Sequence, residues 1–530
     1  MGNYNITEVR LMNVPLEHDY KHTLYFSTRE EQTNYFLSKS YDIATNFSYQ
    51  RKDNVIRYPL NYDDLIGFNY VMYRNSSNST KWYYAFITDF TYVHTDRTDI
   101  TIETDVIQTW MFDYNIKASF VEREHVDSDE IGEHIVEEGL QMGDYVVNVK
   151  TKAGYHSLAK DYIIVGASQT AGGGRVYGTM YSGIYSGIKY YAFPHDTNGI
   201  GELEDFLSDY DSDAGGEAII CMFLAPDNIV EVDENIVVSH LPPKVVNINN
   251  TGSENNKDIV MTRNDLDGYE PRNMKLMTHP YRYLLASNNN GMSVIYKFEE
   301  FKGTEGVEVV DPQFEITGCL TPGCSVRMIP LNYKGIHTNQ EEGINLGKYP
   351  TLNWTSDYYT NWLTQNAVNL TTSVVGDGVQ IVGSLLAAPF TGGASLSGLG
   401  GGVSGIAGTM GEVYKASKVP PQSKGNTNCG DVVTVTQNND FHFYDMSIKS
   451  QYAKIIDGYF DMFGYKVTDV KVPNVNHRNR YWYTKTIDVN IDGHMPMKDL
   501  QKIKDCYNRG ITFWRYPEDI GDYSVDNWIR

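Results

Sequence analysis

Cysteine is scarce in this 530-residue sequence, which contains only Cys221, Cys319, Cys324, Cys429 and Cys506. Five scattered cysteines are too few for the disulfide framework of a small secreted fold. Cys319 and Cys324 are spaced as C-x4-C, but no second pair and no nearby histidine completes a zinc site. The start of the chain, MGNYNITEVR, lacks the apolar stretch of a secretory signal, and Ile6 stands where a myristoylation motif requires serine or threonine. We therefore expect a protein that is made and folded in a cytoplasm.

Basic residues are also few. The chain has 44 lysines and arginines against 67 aspartates and glutamates, for a net charge of −23 at pH 7. Sequence-independent affinity for DNA comes from basic residues that neutralise phosphates, so static DNA binding is disfavoured. The charge is compatible with a protein through which DNA slides, because a channel wall that binds DNA only weakly would let the DNA pass.

The motifs of enzymes and metal sites are missing. No H-E-x-x-H occurs, and His125 and His134 lie nine residues apart. Asp209, Asp211 and Asp213 resemble the start of a calcium loop, but the glycine required at its sixth position and the glutamate required at its twelfth are absent. In so acidic a chain no carboxylate pair can be singled out as general acid and nucleophile. We expect no catalytic residues, no cofactor and no metal ion.

Strand-like patterns dominate what is present. The chain has 41 tyrosines, and aromatic runs occur at KWYYAFITDFTYV (81–93) and RYWYTKTIDVNI (480–491). Alternation in residues 100–106 predicts a half-buried strand whose inner face consists of Ile100, Ile102, Thr104 and Val106. The fold class we expect is mainly β with a few helices (α+β), built from barrel or sandwich domains.

Three helices are predicted towards the carboxyl end. The first covers residues 356–370 and begins at Ser356 as N-cap. The second, SQYAKIIDGYFDMFG (450–464), is expected to pack on a sheet through the stripe Tyr452, Ile455, Tyr459 and Phe463. The third, PMKDLQKIKDCYNRG (496–510), begins at Pro496, ends before Gly510 and points Leu500, Ile503 and Tyr507 inward.

Residues 378–411, GVQIVGSLLAAPFTGGASLSGLGGGVSGIAGTMG, contain no charged side chain and no histidine. The segment is too apolar to stay solvated as a linker. Its eleven glycines would each cost a packed helix about 1 kcal/mol relative to alanine. We therefore interpret it as a segment that hides its apolar surface in one state and exposes it in another.

A bend at Pro389 divides this region into two limbs of roughly 20 residues, each of which would span a bilayer core of about 30 Å as a helix. The residues predicted to enter a membrane are Val374, Val375, Val379, Ile381, Val382, Leu385, Leu386, Phe390, Leu396, Leu399, Val403 and Ile406. The residues predicted to form the hinge, to pack the limbs closely or to end the segment are Pro389, Gly392, Gly393, Gly398, Gly402, Gly405, Pro420 and Pro421.

Several stretches at the two ends of the chain are informative together. They are VRLMNVPLEHDYKHTLYF (9–26), KWYYAFITDFTY (81–92), ETDVIQTWMFDYNIKASFVEREHV (103–126), FGYKVTDVKVPN (463–474) and GITFWRYPEDIGDYSVDNWIR (510–530). In this order they resemble the tail knob, or distal tail tube, proteins of small short-tailed phages with protein-primed genomes, the Salasviridae type. The resemblance covers most of residues 5–126 and about 355–530, and we find none in 127–350.

This resemblance implies a homohexameric, β-rich tube at the tip of the phage tail, through which double-stranded DNA leaves the particle. It also implies a long hydrophobic loop that plugs the tube and later perforates the host cytoplasmic membrane, matched here by residues 366–422. The implied partners are further copies of the chain, the proximal tail tube (lower collar) protein, the DNA in transit and the host membrane. The implied location is the virion, acting at the host cell envelope.

The expected domain organisation follows from the same comparison. Residues 1–126 and 423–530 form the two parts of the tube domains, and 127–350 form a variable middle or knob region. Residues 351–365 form a helix that leads into the membrane-active loop, 366–422. Two alternatives remain open for 127–350: a cell-wall or glycan hydrolase of the tail tip, and a receptor-binding module that contacts a host surface glycan.

Overall fold

A computed structural model describes most of the chain outside the apolar region. The described residues are 7–47, 54–75, 81–154, 161–171, 174, 176, 180–181, 184–185, 187–213, 218–248, 259, 263–303, 309–320, 324–346, 349, 351–353, 440–475 and 478–527. They form two compact units. Unit 1 contains Met1–Gly143, Tyr269–Met277 and Ser450–Arg530, and unit 2 contains Asp144–Gly268 and Thr278–Lys449.

Unit 1 is built on two main sheets. Its amino-terminal elements are β1 (Thr7–Met12), β2 (His22–Leu24), α1 (Arg29–Lys39), β3 (Ser40–Phe47), β4 (Val55–Tyr58), α2 (Tyr62–Leu65), β5 (Tyr70–Asn75), β6 (Tyr83–His94), β7 (Arg97–Thr104), α3 (Val106–Trp110), β8 (Tyr114–Ile116) and β9 (Ser119–Glu124). Its carboxyl-terminal elements are α5 (Ser450–Phe463), β27 (Tyr465–Lys471), β28 (Tyr481–Ile487), β29 (Ile491–Gly493), α6 (Met497–Arg509) and β30 (Ile511–Trp514).

The first sheet has the strand order β3-β1-β5-β6-β7-β4 and is covered on both faces. Alternate residues of β5 therefore enter different cores: Tyr70 and Met72 pack with Phe36, whereas Val71 packs with Ile100. The strand predicted at 81–93 is confirmed by β6. The strand predicted through residue 106 is confirmed only to Thr104.

The extension of that strand to Val106 was wrong, because a helix starts there. Asp105 is the N-cap of α3, and its carboxylate accepts a hydrogen bond from the Gln108 backbone N–H at 3.0 Å. Alternation of residue types continues across this boundary, but the capping aspartate turns the backbone.

The second sheet, β2-β30-β28-β9-β27, joins the two ends of the chain. Strand β9 lies between β28 and β27, so Phe120 is opposite both Val470 and Ile487. Trp482 stacks on Phe513 with ring centroids 5.7 Å apart, and both belong to the buried core of this sheet. Residues 119–124 and 465–514 therefore fold as one unit.

The predictions of α5 and α6 are confirmed, but the packing face of α5 was wrong. In α6, Ile503 and Tyr507 are buried as expected. In α5 the buried residues are Ala453, Ile456, Asp457 and Phe460, and Ile455 is 70% exposed. A polar residue therefore lies at the centre of the buried face, and the apolar pattern alone selected the wrong stripe.

Asp457 is buried because a distant strap, residues 269–277, supplies its hydrogen bonds. The Tyr269 hydroxyl and the Arg272 N–H donate to Oδ2 at 2.7 and 2.8 Å, and the Asn273 side-chain amide donates to Oδ1 at 2.8 Å. The same amide donates to Asp461 Oδ1 at 2.8 Å, one turn further along α5, and the Arg272 guanidinium also contacts Asp461. The strap thus packs on α5 through charge-assisted hydrogen bonds.

Unit 2 contains three larger sheets. Its elements begin with β10 (Tyr145–Lys152), β11 (Asp161–Ala167), β12 (Met180–Tyr181), β13 (Ile184–Tyr185), β14 (Lys189–Pro194), α4 (Thr197–Asp213), β15 (Ile219–Pro226), β16 (Val230–Asp233), β17 (Ile236–His240) and β18 (Lys244–Asn247). They continue with β19 (Arg282–Ser287), β20 (Ser293–Tyr296), β21 (Gln313–Cys319), β22 (Ser325–Tyr333), β23 (Ile336–Thr338), β24 (Ile344–Asn345), β25 (Thr351–Asn353) and β26 (His442–Ile448). The strand orders of the three sheets are β10-β26-β19-β20, β16-β17-β14-β11-β15-β25 and β18-β21-β22-β23.

The acidic stretch that resembled a calcium loop is largely helical. Asp209, Asp211 and Asp213 all lie within α4, whose amino-terminal end is stabilised by Asp196 through a 2.8 Å hydrogen bond from the Gly199 N–H. Helical spacing replaces the turn that an EF-hand loop needs.

Strands predominate over helices in the described residues, which confirms the mainly β fold class. Within the same ranges, none of the helices combines the length and the apolar composition that a membrane crossing needs.

The contact between α5 and the strap predicts a pH dependence. Burial raises the pKa of Asp461 to about 6, although the hydrogen bonds from Asn273 and Arg272 act in the opposite direction. A carboxyl group whose pKa is raised by folding stabilises the protein at low pH, and this contribution is lost as the pH rises through about 6. Asp461→Asn should therefore flatten the dependence of unfolding free energy on pH between about pH 4 and 6, the range between the ordinary and the raised pKa of this carboxyl.

Urea denaturation followed by tryptophan fluorescence measures this effect, since Trp82, Trp110, Trp482 and Trp514 are all buried in unit 1. Asp105 also has a pKa raised to about 6 by burial, so the difference between variant and wild type is the quantity to compare. Hydrogen bonds from Ser524 lower the pKa of the exposed Asp522, so its ionisation affects stability only below the pH range compared. Asp522→Asn is therefore the control and should keep the wild-type slope. Equal slopes for Asp461→Asn and wild type would contradict the prediction.

Candidate functional site at the base of the apolar segment

The residues predicted to enter a membrane lie outside the described residues, from Val374 to Ile406. The same is true of the hinge and packing residues from Pro389 to Pro421 and of the helix predicted at 356–370. What the structure describes is the scaffold on both sides of this segment, β25 before it and β26 after it. Both strands belong to unit 2.

Before the segment, the chain forms the outermost strand of a sheet. Strand β25 pairs with β15, with Thr351 opposite Phe223 and Asn353 opposite Cys221. Just upstream, Tyr349 is fully buried, and its backbone N–H donates to the carbonyl of Cys324 at 2.9 Å. The last described strand before the segment is therefore at a sheet edge.

After the segment, the chain enters the interior of another sheet. Strand β26 pairs with β10 on one side and β19 on the other. Phe441 is fully buried, its carbonyl accepts from the Ala153 N–H at 2.9 Å, and the Phe443 ring packs on Phe314 with centroids 5.0 Å apart. Hydrogen bonds therefore hold the chain at Phe441 and along β26.

A buried ion pair lies on this returning strand. Arg282 on β19 and Asp445 on β26 are 0% and 1% exposed, and they form two hydrogen bonds, Nε to Oδ1 at 3.2 Å and Nη2 to Oδ2 at 3.1 Å. The guanidinium carbon lies 4.2 Å from the centroid of the Phe298 ring. Planar, two-point recognition of this kind fixes the relative position of the two strands.

Sequence reasoning missed this pair, although a signal was present. In FHFYDMSI the inner positions of β26 are Phe443, Asp445 and Ser447, so a charged residue interrupts an apolar face. An arginine stands at the first position of β19, in RYLLAS. A charge at an inner strand position needs a buried partner of opposite charge.

The histidines considered from the sequence serve structural roles. His125 accepts a hydrogen bond from the Tyr483 N–H at Nδ1 (2.7 Å), and its Nε2 lies 3.0 Å from the Asp461 carbonyl, so it is the neutral Nε2–H tautomer that donates there. Burial lowers the pKa of His125 to about 3. His134 Nε2 lies 2.8 Å from the Ser128 carbonyl.

The C-x4-C cysteines do not form a site. Cys319 is exposed and Cys324 is buried, because they lie on opposite faces of the β21–β22 hairpin. Burial raises the pKa of the Cys324 thiol above its ordinary value. Across the ranges described, no three histidine, cysteine, aspartate or glutamate side chains lie close enough to hold a metal ion.

The buried pair leads to a stability prediction. Asp445→Asn leaves Arg282 charged and buried, and breaking such a pair costs about 3–5 kcal/mol. We expect chemical denaturation, followed by circular dichroism, to show a loss of this size in the unfolding of unit 2. Lys449→Gln removes the exposed pair with Asp144 and should cost less than about 1 kcal/mol. Equal losses in the two variants would contradict the role assigned to the buried pair.

Comparison with known proteins extends over the whole chain. The tail knob protein gp9 of Bacillus phage B103 is 26% identical over 600 residues, and that of Bacillus phage phi29 is 24% identical over 606 residues. Each alignment covers 99% of this chain and 99% of the relative. The similarity therefore includes residues 127–350. The expectation that the resemblance is confined to the two ends of the chain was wrong.

The fold and the family models agree with this result. The structure of the tail knob protein gp12 of bacteriophage C1 matches with a TM-score of 0.63 at 14% identity, covering 99% of this chain and 100% of that one. The amino-terminal domain of the caudoviral major tail proteins matches residues 5–115. The C-terminal domain of Bacillus phage phi29 tail knob protein gp9 matches residues 245–528, which is more than half of the chain. The chain therefore belongs to the phage tail knob protein family that this domain represents.

Proposed function

We propose that this chain is the structural protein of a phage's distal tail tube, assembling as a homohexamer through which double-stranded DNA leaves the particle. The observation that supports this most directly is similarity to tail knob proteins along the entire length of both chains. The net charge of −23 is compatible with a conduit, because an acidic wall does not retain phosphates. Its further partners in this proposal are the proximal tail tube (lower collar) protein and the DNA in transit.

In the same proposal, residues 366–422 are the membrane-active loop. In the intact particle, copies of the segment bury their apolar faces against one another inside the tube, which removes surface that costs about 25 cal/mol per Å² in water. At the host cytoplasmic membrane, lipid offers an equally apolar environment, and the population shifts to the inserted state. The glycines allow the backbone to rearrange and the limbs to pack closely.

The strands on either side of the segment support this proposal. The chain before the segment ends in β25, and the chain after it enters β26 beside the Arg282–Asp445 pair. A loop that changes its surroundings needs fixed points on both sides, and hydrogen-bonded strands provide them.

Assembly can be examined directly. We expect negative-stain microscopy of the purified full-length protein to show rings with sixfold symmetry and a central hole or plug. Heterologous ring contacts close only at a defined rotation, so a single ring size is expected rather than a mixture. Monomers at micromolar concentration and neutral pH would contradict the tube proposal.

Membrane activity can be tested with dye-loaded liposomes. The assembled wild-type protein should release the dye, whereas deletion of residues 374–411 should leave the ring intact and abolish release. Leu385→Asp should slow release strongly, since a carboxylate at mid-bilayer costs at least about 2.5 kcal/mol. Leu385→Ile conserves volume and polarity and serves as the matched control. If the deletion variant forms rings and still releases dye at the wild-type rate, membrane activity belongs to another part of the chain.

A further inference from the structure

Unit 1 contains a cavity of about 660 Å³ that the proposed function does not use. It lies between the end of β9, the strap 269–277 and the carboxyl-terminal residues 525–527. Its volume is in the range of ordinary small-molecule sites, roughly 300–1,000 Å³. Apolar side chains, among them Met274 and Val525, form part of the wall, and the remainder is polar.

Arg478 brings a buried positive charge to this cavity. The residue is 8% exposed; its Nε donates to the Val126 carbonyl at 3.0 Å and its Nη1 to the Asn527 carbonyl at 3.4 Å. Asp129, which also lines the cavity, interacts electrostatically with this guanidinium, but among the described residues no carboxylate lies within ion-pair distance of it. Guanidinium groups have five N–H donors, so Arg478 retains donors that can serve a ligand.

The rim of the cavity has the opposite character. Asp127, Glu130 and Asp526 are exposed carboxylates that line it. They do not converge as metal ligands, since the described residues contain no group of three side chains able to hold a metal ion. Two less exposed carboxylates of the lining already accept hydrogen bonds, Asp129 from the Tyr465 hydroxyl and Asp461 from the Asn273 amide. The groups left for a ligand are therefore the remaining donors of Arg478 and the exposed carboxylates of the rim.

This arrangement excludes most ligand classes. A phosphate or carboxylate ligand would be repelled by the rim, and a simple organic cation would gain nothing from Arg478. An apolar ligand would leave the guanidinium donors without acceptors. A ligand that fits must accept hydrogen bonds at one end and have a positive charge at the other.

We propose that this cavity is a binding site for an amino sugar. The ring and hydroxyl oxygens accept hydrogen bonds from Arg478, the hydroxyl groups donate to the rim carboxylates, and the ammonium group lies near Asp127 and Asp526. The apolar face of the sugar ring packs on Met274 and Val525. The site is independent of residues 366–422, so it gives the protein a contact with glycans whether or not the apolar segment enters membranes.

The experiment uses the full-length protein with glucosamine, glucose and spermidine as probes, each titrated by isothermal calorimetry or saturation-transfer NMR. Glucosamine should bind at least about tenfold more tightly than glucose, which lacks the ammonium group, and than spermidine, which lacks the hydroxyls. Arg478→Lys keeps the charge but loses the planar fork, and should weaken glucosamine binding about tenfold. Arg480→Lys is the matched control, because Arg480 pairs with Asp519 and does not line the cavity.

A second variant is needed because a substitution at the buried Arg478 could prevent folding. Asp526 is exposed, so Asp526→Asn should leave the melting temperature unchanged. It should reduce the preference for glucosamine over glucose several-fold. Asp522→Asn, which also lies in the carboxyl-terminal segment but does not line the cavity, should have no effect on binding. The proposal is overturned if glucosamine does not bind, if spermidine binds as tightly and is insensitive to Arg478→Lys, or if the control variants weaken binding equally.

Discussion

The antiparallel pairing of β9 with β27 and β28 is the constraint on which the rest of the molecule depends. Residues 119–124 find their hydrogen-bond partners in residues 465–487, more than three hundred positions later. Once this sheet forms, most of the chain in between is an insertion whose two ends are fixed. A similar long-range pairing occurs inside unit 2, where β10 pairs with β26 and Tyr145 lies opposite Ile448. Beside it, the Lys449 N–H donates to the Asp144 carbonyl at 3.0 Å.

Residues 354–439 lie within this second insertion, and the strands that flank them, β25 and β26, are each paired in a different sheet of unit 2. The entropy of closing a loop grows only with the logarithm of its length, about 0.6 kcal/mol for each doubling. A long excursion therefore costs the scaffold little more than a short one. The cost of closing the segment therefore does not constrain the composition of residues 378–411, which contain no charged side chain and eleven glycines.

The sequence predicted those elements whose determining contacts are local, and it did not predict contacts between residues far apart in the chain. Strand β6 and helices α5 and α6 follow from periodicity and capping residues, and the structure has them where predicted. The packing face of α5 does not follow, because Asp457 is buried only through hydrogen bonds from Tyr269 and Asn273, which lie far away in sequence. The Arg282–Asp445 pair joins two strands about 160 residues apart, and a single sequence offers only the hint of a charge at an inner position.

The buried charges also determine the register of β26 against β19, which apolar packing alone does not. Many registers of β26 against β19 bury similar amounts of apolar surface, because a shift by two residues returns every side chain to the same face. Few of those registers bring Asp445 onto Arg282. A buried ion pair adds little net stability over a well-packed apolar pair, but any arrangement that separates its members is heavily penalised. The point at which the chain returns from residues 354–439 is thus fixed by the cost of an unpaired buried charge, while the adjoining apolar residues Phe441 and Phe443 stabilise the strand once it is in place.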